Sequence, residues 1–286
     1  MIYIVIPSLN EKYLIKSFLN DLHNQSYSKF KVIVSDNGST DGTKEFIKEE
    51  YPNIKLIENN QSFWWTKSTN AGVEYALNNS QSSNDFILTI NCDLSINHDY
   101  LESLISCSKI YNNSIIGSLT IDKESNKITF GGIRVNNFTA KHTRININKT
   151  YSNHKTSKDQ ESDLLPGRGT LIPVNVFKSI GMYDEMLPHY HADYEFSIRA
   201  KRNNFNLIVS HKSHVFSHAE NSGLHFNNSK KLTLSELLKS FFILKSPNNL
   251  FRRGVFIYKT VPLRYFLFHL FFDYSRIISK TIIKQF

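Results

Sequence analysis

Four polar residues stand where two short apolar runs end. Ile2-Tyr3-Ile4-Val5-Ile6-Pro7 gives way to Ser8, Leu9, Asn10 and Glu11, and Lys31-Val32-Ile33-Val34-Ser35 gives way to Asp36, Asn37, Gly38 and Ser39. Clustered at one edge, Asn10, Glu11, Asp36 and Ser39 make a small-molecule site. A third apolar run, Phe86-Ile87-Leu88-Thr89-Ile90, leads through Asn91 and Cys92 to Asp93. A carboxylate there can hold a hard divalent cation, which in turn clamps a diphosphate. Taken alone, Asp93 would serve equally well as a turn former or helix cap.

The elements that must position these residues are legible in the pattern. Short β-branched runs stopped by polar clusters are the signature of fully buried parallel strands. The helical stretch Tyr13 to Asn24 joins the first two runs into a βαβ unit, and open α/β sheets bind ligands beyond the carboxyl ends of their strands. Strands are predicted at 2–6, 31–35, 54–58 and 86–90, with helices at 12–24, 42–50, 67–78 and 98–111. That alternation predicts an α/β fold with a Rossmann-like, mostly parallel sheet and flanking helices. Beyond 114 the pattern changes to strands at 114–121 and 127–135, a polar loop over 136–163, and a second organised block from Leu164 to His218.

Composition bounds the whole. At 286 residues with 40% hydrophobic content, the chain can bury a sizeable core, as one large domain with an appendage. Cys92 and Cys107 form no disulfide framework, and Ile2 to Ile6 is too short for a signal segment. Both features favour a cytoplasmic location. Residues 1–225 hold 23 Lys/Arg and 23 Asp/Glu, whereas residues 226–286 hold 11 and 2, which is the whole +9 excess. This tail is also aromatic, and His269, Asp273, Arg276, Lys280 and Lys284 form a narrow polar stripe on an otherwise apolar helix. A basic, aromatic, amphipathic segment suits the surface of an anionic membrane. Packing on the core or on a second subunit, as in a homodimer, is the alternative. No recognition motif accompanies the charge, so nucleic acid is not an expected partner.

Further motifs in order complete a family pattern. Ile-Val-Ile-Pro-Ser-Leu-Asn-Glu (4–11), Val-Ser-Asp-Asn-Gly-Ser-Thr-Asp-Gly-Thr (34–43), Asn91-Cys92-Asp93, Gly167-Arg168-Gly169-Thr170-Leu171-Ile172-Pro173 and Asp193-Tyr194-Glu195-Phe196-Ser197-Ile198-Arg199 together resemble the family 2 glycosyltransferases, inverting enzymes of the GT-A fold. The resemblance covers residues 2–225. It implies a catalytic domain over 1–225, with a nucleotide-sugar half (1–113) and an acceptor half (114–225), followed by a basic aromatic helical tail (226–286).

The resemblance also implies roles. Pro7, Asn10, Glu11 and Asp36, with Ser39 nearby and Asn91 opposite, would hold the base and ribose of a UDP- or dTDP-linked sugar, whose N–H and hydroxyl donors need acceptors. Asp93 and His218 would coordinate Mg2+ or Mn2+. Asp193 would be the general base that takes the acceptor proton, with Glu195 in reserve. Gly167, Arg168, Arg199, Asn70 and Trp65 would line the sugar and acceptor side, the indole stacking on a sugar face. The acceptor would be a glycan or lipid-linked glycan in polysaccharide synthesis at the inner face of a cell membrane.

The bland roles stand beside these. Asp41 and Thr43 can cap the helix over 42–50, and Glu195 with Arg199 reads as an i,i+4 ion pair at a helix N-terminus. Of Trp64 and Trp65, one is expected in the core and Trp65 at the site, and similar aromatic pairs occur in bacterial rhamnosyl- and galactofuranosyl-transferases. Two departures matter. Asn91 replaces the first acid of the family's Asp-x-Asp, and Ala192 leaves Asp193 without a like-charged neighbour to raise its pKa. They keep alive a non-catalytic glycan-binding or scaffolding relative. A sugar nucleotidyltransferase would need a Gly-rich basic loop that Pro7-Ser8-Leu9-Asn10 does not offer.

Overall fold

Every residue of the first strand, β1 (Ile2–Ser8), is buried, because both of its faces are covered. Ile2, Ile4 and Ile6 pack on the side of helix α1 (Lys12–His23), against Ile15, Phe18, Leu19 and Leu22. Tyr3 and Val5 point the other way, into a core that includes Val73 and Ala76 of α3 (Trp65–Asn79). The period-2 alternation of a strand thus feeds two cores at once. Where α3 crosses β1, Gly72 lets the backbones close up: a Cβ there would meet Val5 Cγ1 at 2.4 Å.

A computed structural model describes residues 1–136, 139, 141–151, 158–217, 239–244, 246 and 248–283. The remaining strands are β2 (Phe30–Asp36), β3 (Lys55–Glu58), β4 (Phe86–Thr89), β5 (Leu94–Ile96), β6 (Ser114–Asp122), β7 (Ile128–Phe130), β8 (Ile133–Asn136), β9 (Lys141–Arg144), β10 (Gln160–Glu161), β11 (Thr170–Pro173) and β12 (Asn206–Ser217). The remaining helices are α2 (Thr43–Glu50), α4 (Tyr100–Ile110), α5 (Val174–Ile180), α6 (Ala192–Arg202), α7 (Leu250–Thr260) and α8 (Phe266–Ile283).

The sheet runs β10-β12-β6-β11-β4-β1-β2-β3. Its N-terminal half, β4-β1-β2-β3, is parallel throughout, and β6 runs parallel to β12. Antiparallel β11 sits between β4 and β6 and joins the halves. The mostly parallel sheet with flanking helices is therefore present. This order brings the ends of β1, β2 and β4, and the residues just before β11, to one edge.

Two local expectations change. The strand anticipated over 127–135 is broken into β7 and β8 at Gly131-Gly132, where Gly132 takes φ +117°, a conformation open to glycine. The polar stretch 136–163 was expected to be a loop, yet it contains β9 and β10. β9 has all four residues exposed, so it carries no buried face and no alternation to betray it. The tail begins, in the described residues, with helical residues 239–240 and a turn at 241–242, and continues through α7 and α8. Phe256 and Ile257 of α7 pack into the core, while much of α8 faces outward.

Candidate active site

A cleft of about 810 Å³ opens at the edge where β1, β2 and β4 end. Of the residues singled out in the sequence, Pro7, Glu11, Trp65, Asn91, Asp93, Gly167, Arg168 and Asp193 line it. Asn10, Asp36, Ser39, Asn70, Glu195 and Arg199 do not. His218 lies outside the described residues.

The residues behind the wall are spent on holding it. Asp36 is fully buried, and its Oδ2 accepts the Gly38 and Ser39 amides at 3.0 and 2.9 Å. Its Oδ1 is buried with no hydrogen-bond partner among the described residues, where buried acceptors are ordinarily paired. Ser39 Oγ accepts the Asn10 amide at 2.8 Å, and Asn10 Oδ1 accepts the Thr40 amide at 2.8 Å. The β1 and β2 loops are thereby interlocked. Asp41 caps the first turn of α2 through Thr43 and also accepts the Lys12 amide at 3.0 Å, pinning α1 to α2. On the far side, Asn70 bonds both ways with the Tyr183 backbone, at 2.8 and 3.1 Å. Glu195 forms the expected pair with Arg199 at 2.8 Å, and Arg199 also donates to the carbonyls of Ile180 and Met182. This arrangement ties α6 to the segment after α5.

The centre of the cleft is organised by one dipeptide. The Gly167 amide donates to Asp193 Oδ2 at 3.0 Å, and the next residue, Arg168, reaches Asp93 Oδ2 through Nη2 at 3.3 Å. The end of β4 and the N-terminus of α6, which carry the two aspartates, are linked through adjacent residues. Trp65 closes over the same spot: a Cβ on Gly167 would lie 2.3 Å from Trp65 Cη2, so only glycine admits the indole. Trp65 Nε1 donates to Asn91 Oδ1 at 3.1 Å, which leaves the Asn91 amide nitrogen as a donor toward the cleft. Both tryptophans line the cleft rather than dividing between core and site. Trp65 also packs edge-on against Tyr183, and Trp64 edge-on against His189.

Burial sets the electrostatics. Asp193 is raised above its ordinary 3.8 by desolvation, against the pull of the Gly167 and Tyr194 amides. The elevation comes from burial, with no like-charged neighbour involved. Glu11 is likewise raised, mainly by desolvation and partly by Asp93, while Cys92 Sγ donates to Glu11 Oε2 at 3.2 Å.

A divalent cation must be judged on the donors present. Among the described residues no three His, Cys, Asp or Glu side chains converge as a metal-binding group. Asp93 offers a hard oxygen on the cleft wall. That set fits an ion held by one carboxylate and completed by phosphate oxygens of a ligand, the usual habit of Mg2+, and not a protein cage.

Sequence reasoning missed several lining residues. Asp122 ends the buried strand β6 and lines the cleft, the same apolar-run-to-aspartate signal that marked Asp93. It could have been found. Arg144, an exposed cation at the cleft, sits on β9, where nothing in the sequence announced a strand. Tyr190 and His189 are placed by the long-range bonds of Thr66, whose hydroxyl donates to the Leu187 carbonyl and whose amide donates to the Pro188 carbonyl.

Comparison with known proteins agrees with this architecture. The family Glycosyl transferase family 2 matches residues 3–180. Relatives include the low-salt glycan biosynthesis hexosyltransferase Agl10 of Haloferax volcanii, 23% identical over 66% of this chain and 59% of its own. The succinoglycan biosynthesis protein ExoA of Rhizobium meliloti is 24% identical over 73% of this chain and 61% of its own. The chain thus spans about three-fifths of the length of these two relatives. Among solved structures, S. aureus TarS matches with a TM-score of 0.58 and 17% identity over 99% of this chain and 54% of its own. GalNAc-T7 with UDP, GalNAc and Mn2+ matches with 0.61 and 13% over 96% and 57%. The fold is GT-A, and with its family match over residues 3–180 the chain belongs to glycosyl transferase family 2.

Proposed function

We propose that the protein is a metal-dependent inverting glycosyltransferase. It moves a sugar from a nucleoside diphosphate donor, UDP- or dTDP-linked, to a glycan or lipid-linked glycan at the cytoplasmic face of a membrane. The observation that carries this is the Gly167-Arg168 link, which sets two carboxylates of different character on opposite walls of one cleft.

Pro7, Glu11 and Asn91 face the donor side, where Glu11 accepts and the free amide nitrogen of Asn91 donates to nucleotide hydroxyls. Asp36, Asn10 and Ser39 hold that wall from behind, through the Gly38, Ser39, Asn10 and Thr40 amides. Asp93, with His218 as second ligand, would hold Mg2+ or Mn2+, whose chemistry when bound is to neutralise charge on the departing diphosphate. Trp65 presents its indole to the sugar. Asp193 takes the proton of the acceptor hydroxyl as that oxygen bonds to the anomeric carbon and the nucleoside diphosphate leaves from the opposite face. Its elevated pKa suits a base that must carry that proton away. The Gly167 amide keeps its carboxylate aimed.

The GalNAc-T7 structure with UDP and Mn2+ and the relative named as a GalNAc(5)-diNAcBac-PP-undecaprenol β-1,3-glucosyltransferase in Campylobacter jejuni support the donor and acceptor classes. The test is a screen of nucleotide-sugars with Mn2+ or Mg2+, read by nucleotide release. Release from at least one donor, lost in Asp193→Asn, is expected. Nucleotide binding with no release from any donor would instead identify a non-catalytic relative.

A further inference from the structure

Helix α8 turns a polar stripe inward, beside Phe266 and Leu270, and leaves an aromatic side exposed. Its buried stripe carries His269, Asp273 and Ile277, at 5%, 7% and 8% exposure, while Leu267 and Phe271 stand 74% and 66% exposed. A surface helix ordinarily does the reverse, as α1 does with Ile15, Phe18, Leu19 and Leu22. The inversion is anchored. Arg253 of α7 grips both Asp273 oxygens, at 2.7 and 2.8 Å, and the Tyr274 hydroxyl donates to the Leu250 carbonyl at 2.5 Å. Rotating α8 to hide its aromatic side would break this bidentate pair.

The aromatic side is part of a larger surface. Of the seventeen large hydrophobic residues exposed among the described residues, twelve lie between Phe242 and Ile283, a concentration that marks an interaction site. Cations interleave with it: Arg252 lies over the Phe251 ring at 5.2 Å and Arg264 over the Tyr265 ring at 4.8 Å.

We propose that the outer face of α8 and the α7–α8 corner docks in the interfacial layer of an anionic lipid bilayer, with α8 lying along the surface. Charge decides between occupants. On the described part of this surface Arg252 and Arg264 lie over exposed aromatic rings, while its acid Asp273 is buried against Arg253, so two copies meeting face to face would oppose like charges, whereas anionic headgroups complement them. No helix among the described residues is long and apolar enough to cross a membrane, which leaves the aromatic face an in-plane position. Because α8 packs on α7 and α7 on α6, the docked face lies two helices behind Asp193.

This inference deepens the membrane placement proposed above and rests on it, so its test uses neither donor nor acceptor. The full chain is floated with vesicles of phosphatidylcholine alone, or of phosphatidylcholine with phosphatidylglycerol, at low and high salt. Flotation with the anionic vesicles is expected to be about tenfold stronger than with neutral ones and to weaken with salt. The double variant Leu267→Glu, Phe271→Glu, altered only at exposed positions, is expected to lose binding by about tenfold or more with an unchanged melting curve. Arg264→Glu is expected to weaken binding to the anionic vesicles alone. Equal binding to both vesicle types, binding to neither, or a solution dimer that the double variant converts to monomer would each overturn the proposal. Loss of nucleotide release by the wild-type chain would bear on the transfer reading and leave this one standing.

Discussion

The two walls of the cleft handle a carboxylate in opposite ways. On the β4 wall, Asp93 meets a guanidinium, Arg168 Nη2, at 3.3 Å. On the α6 wall, Asp193 meets the backbone amides of Gly167 and Tyr194, and desolvation lifts its pKa. A charge paired with a cation is stabilised as an anion and suits holding other charges. A carboxylate with only neutral donors in a dry setting is a stronger base. One short segment, Gly167-Arg168, enforces the difference, so the walls must be set together.

The largest effect is expected where the contrast is removed on the α6 wall. Asp193→Asn keeps the shape and the Gly167 contact but cannot take a proton. Transfer should fall about 10²–10⁴-fold with nucleotide affinity within a few-fold, measured by nucleotide release and by titration. The pH dependence has a definite sign. With Asp193 as the proposed base, transfer needs it ionised, so the rate should fall about tenfold per pH unit below its elevated pKa, and the acid limb should lie higher than an unburied aspartate would put it. Stability runs the other way. The folded state holds this proton more tightly than the unfolded chain does, so the group's contribution to stability is greatest below its unfolded pKa and is lost as pH rises through the folded one.

A smaller loss is expected on the β4 wall. Asp93→Ala removes the hard oxygen and leaves Arg168 without its carboxylate, and nucleotide release should fall about 10²-fold. Stabilisation of the protein by a nucleoside diphosphate should no longer rise when Mn2+ is added, as read by thermal shift. Unchanged metal dependence would remove Asp93 from the β4 side of the comparison.

Next comes the link itself. In Gly167→Ala the new Cβ would lie 2.3 and 2.4 Å from Trp65 Cη2 and Cζ2, so the indole or the 166–168 segment must shift. That should cost about 1–3 kcal/mol in unfolding free energy. It should lower transfer and nucleotide affinity together, by about tenfold each if about 1.4 kcal/mol of the strain reaches the site. Loss of one without the other would mean that the two walls are set independently.

Much of this was legible in the sequence because burial writes a pattern. The all-apolar Ile2–Ile6 run declared a strand covered on both faces, and runs ending at Asp36 and Asp93 declared the sheet edge. What was not legible depends on partners distant in the chain. Nothing local to Asn70 says that it will bond Tyr183, or that Trp65 will donate to Asn91. The polar β9 has no buried face, so Arg144 could not be placed. In the tail the polar stripe of α8 was visible, yet which way it would face depended on Arg253, twenty residues earlier.

The smallest effect on activity separates the two acids of α6. Glu195 follows Asp193 by two residues, which on a helix turns it well away from the cleft. It is buried at 6% exposure, with Arg199 bound to both of its oxygens at 2.8 and 2.9 Å. Glu195→Gln should therefore change transfer by no more than about threefold, and should leave the acid limb of the pH profile where Asp193 puts it. Its cost belongs to stability, because Arg199 keeps its carbonyl partners but loses its counter-charge. Removing one partner of such a hydrogen-bonded charge pair costs about 1.5–3 kcal/mol, seen as a lower melting temperature. If Glu195→Gln instead abolished transfer while Asp193→Asn spared it, the base would lie with the ion-paired acid, and the contrast between a cation-paired and a desolvated carboxylate would not be what divides the labour of the cleft.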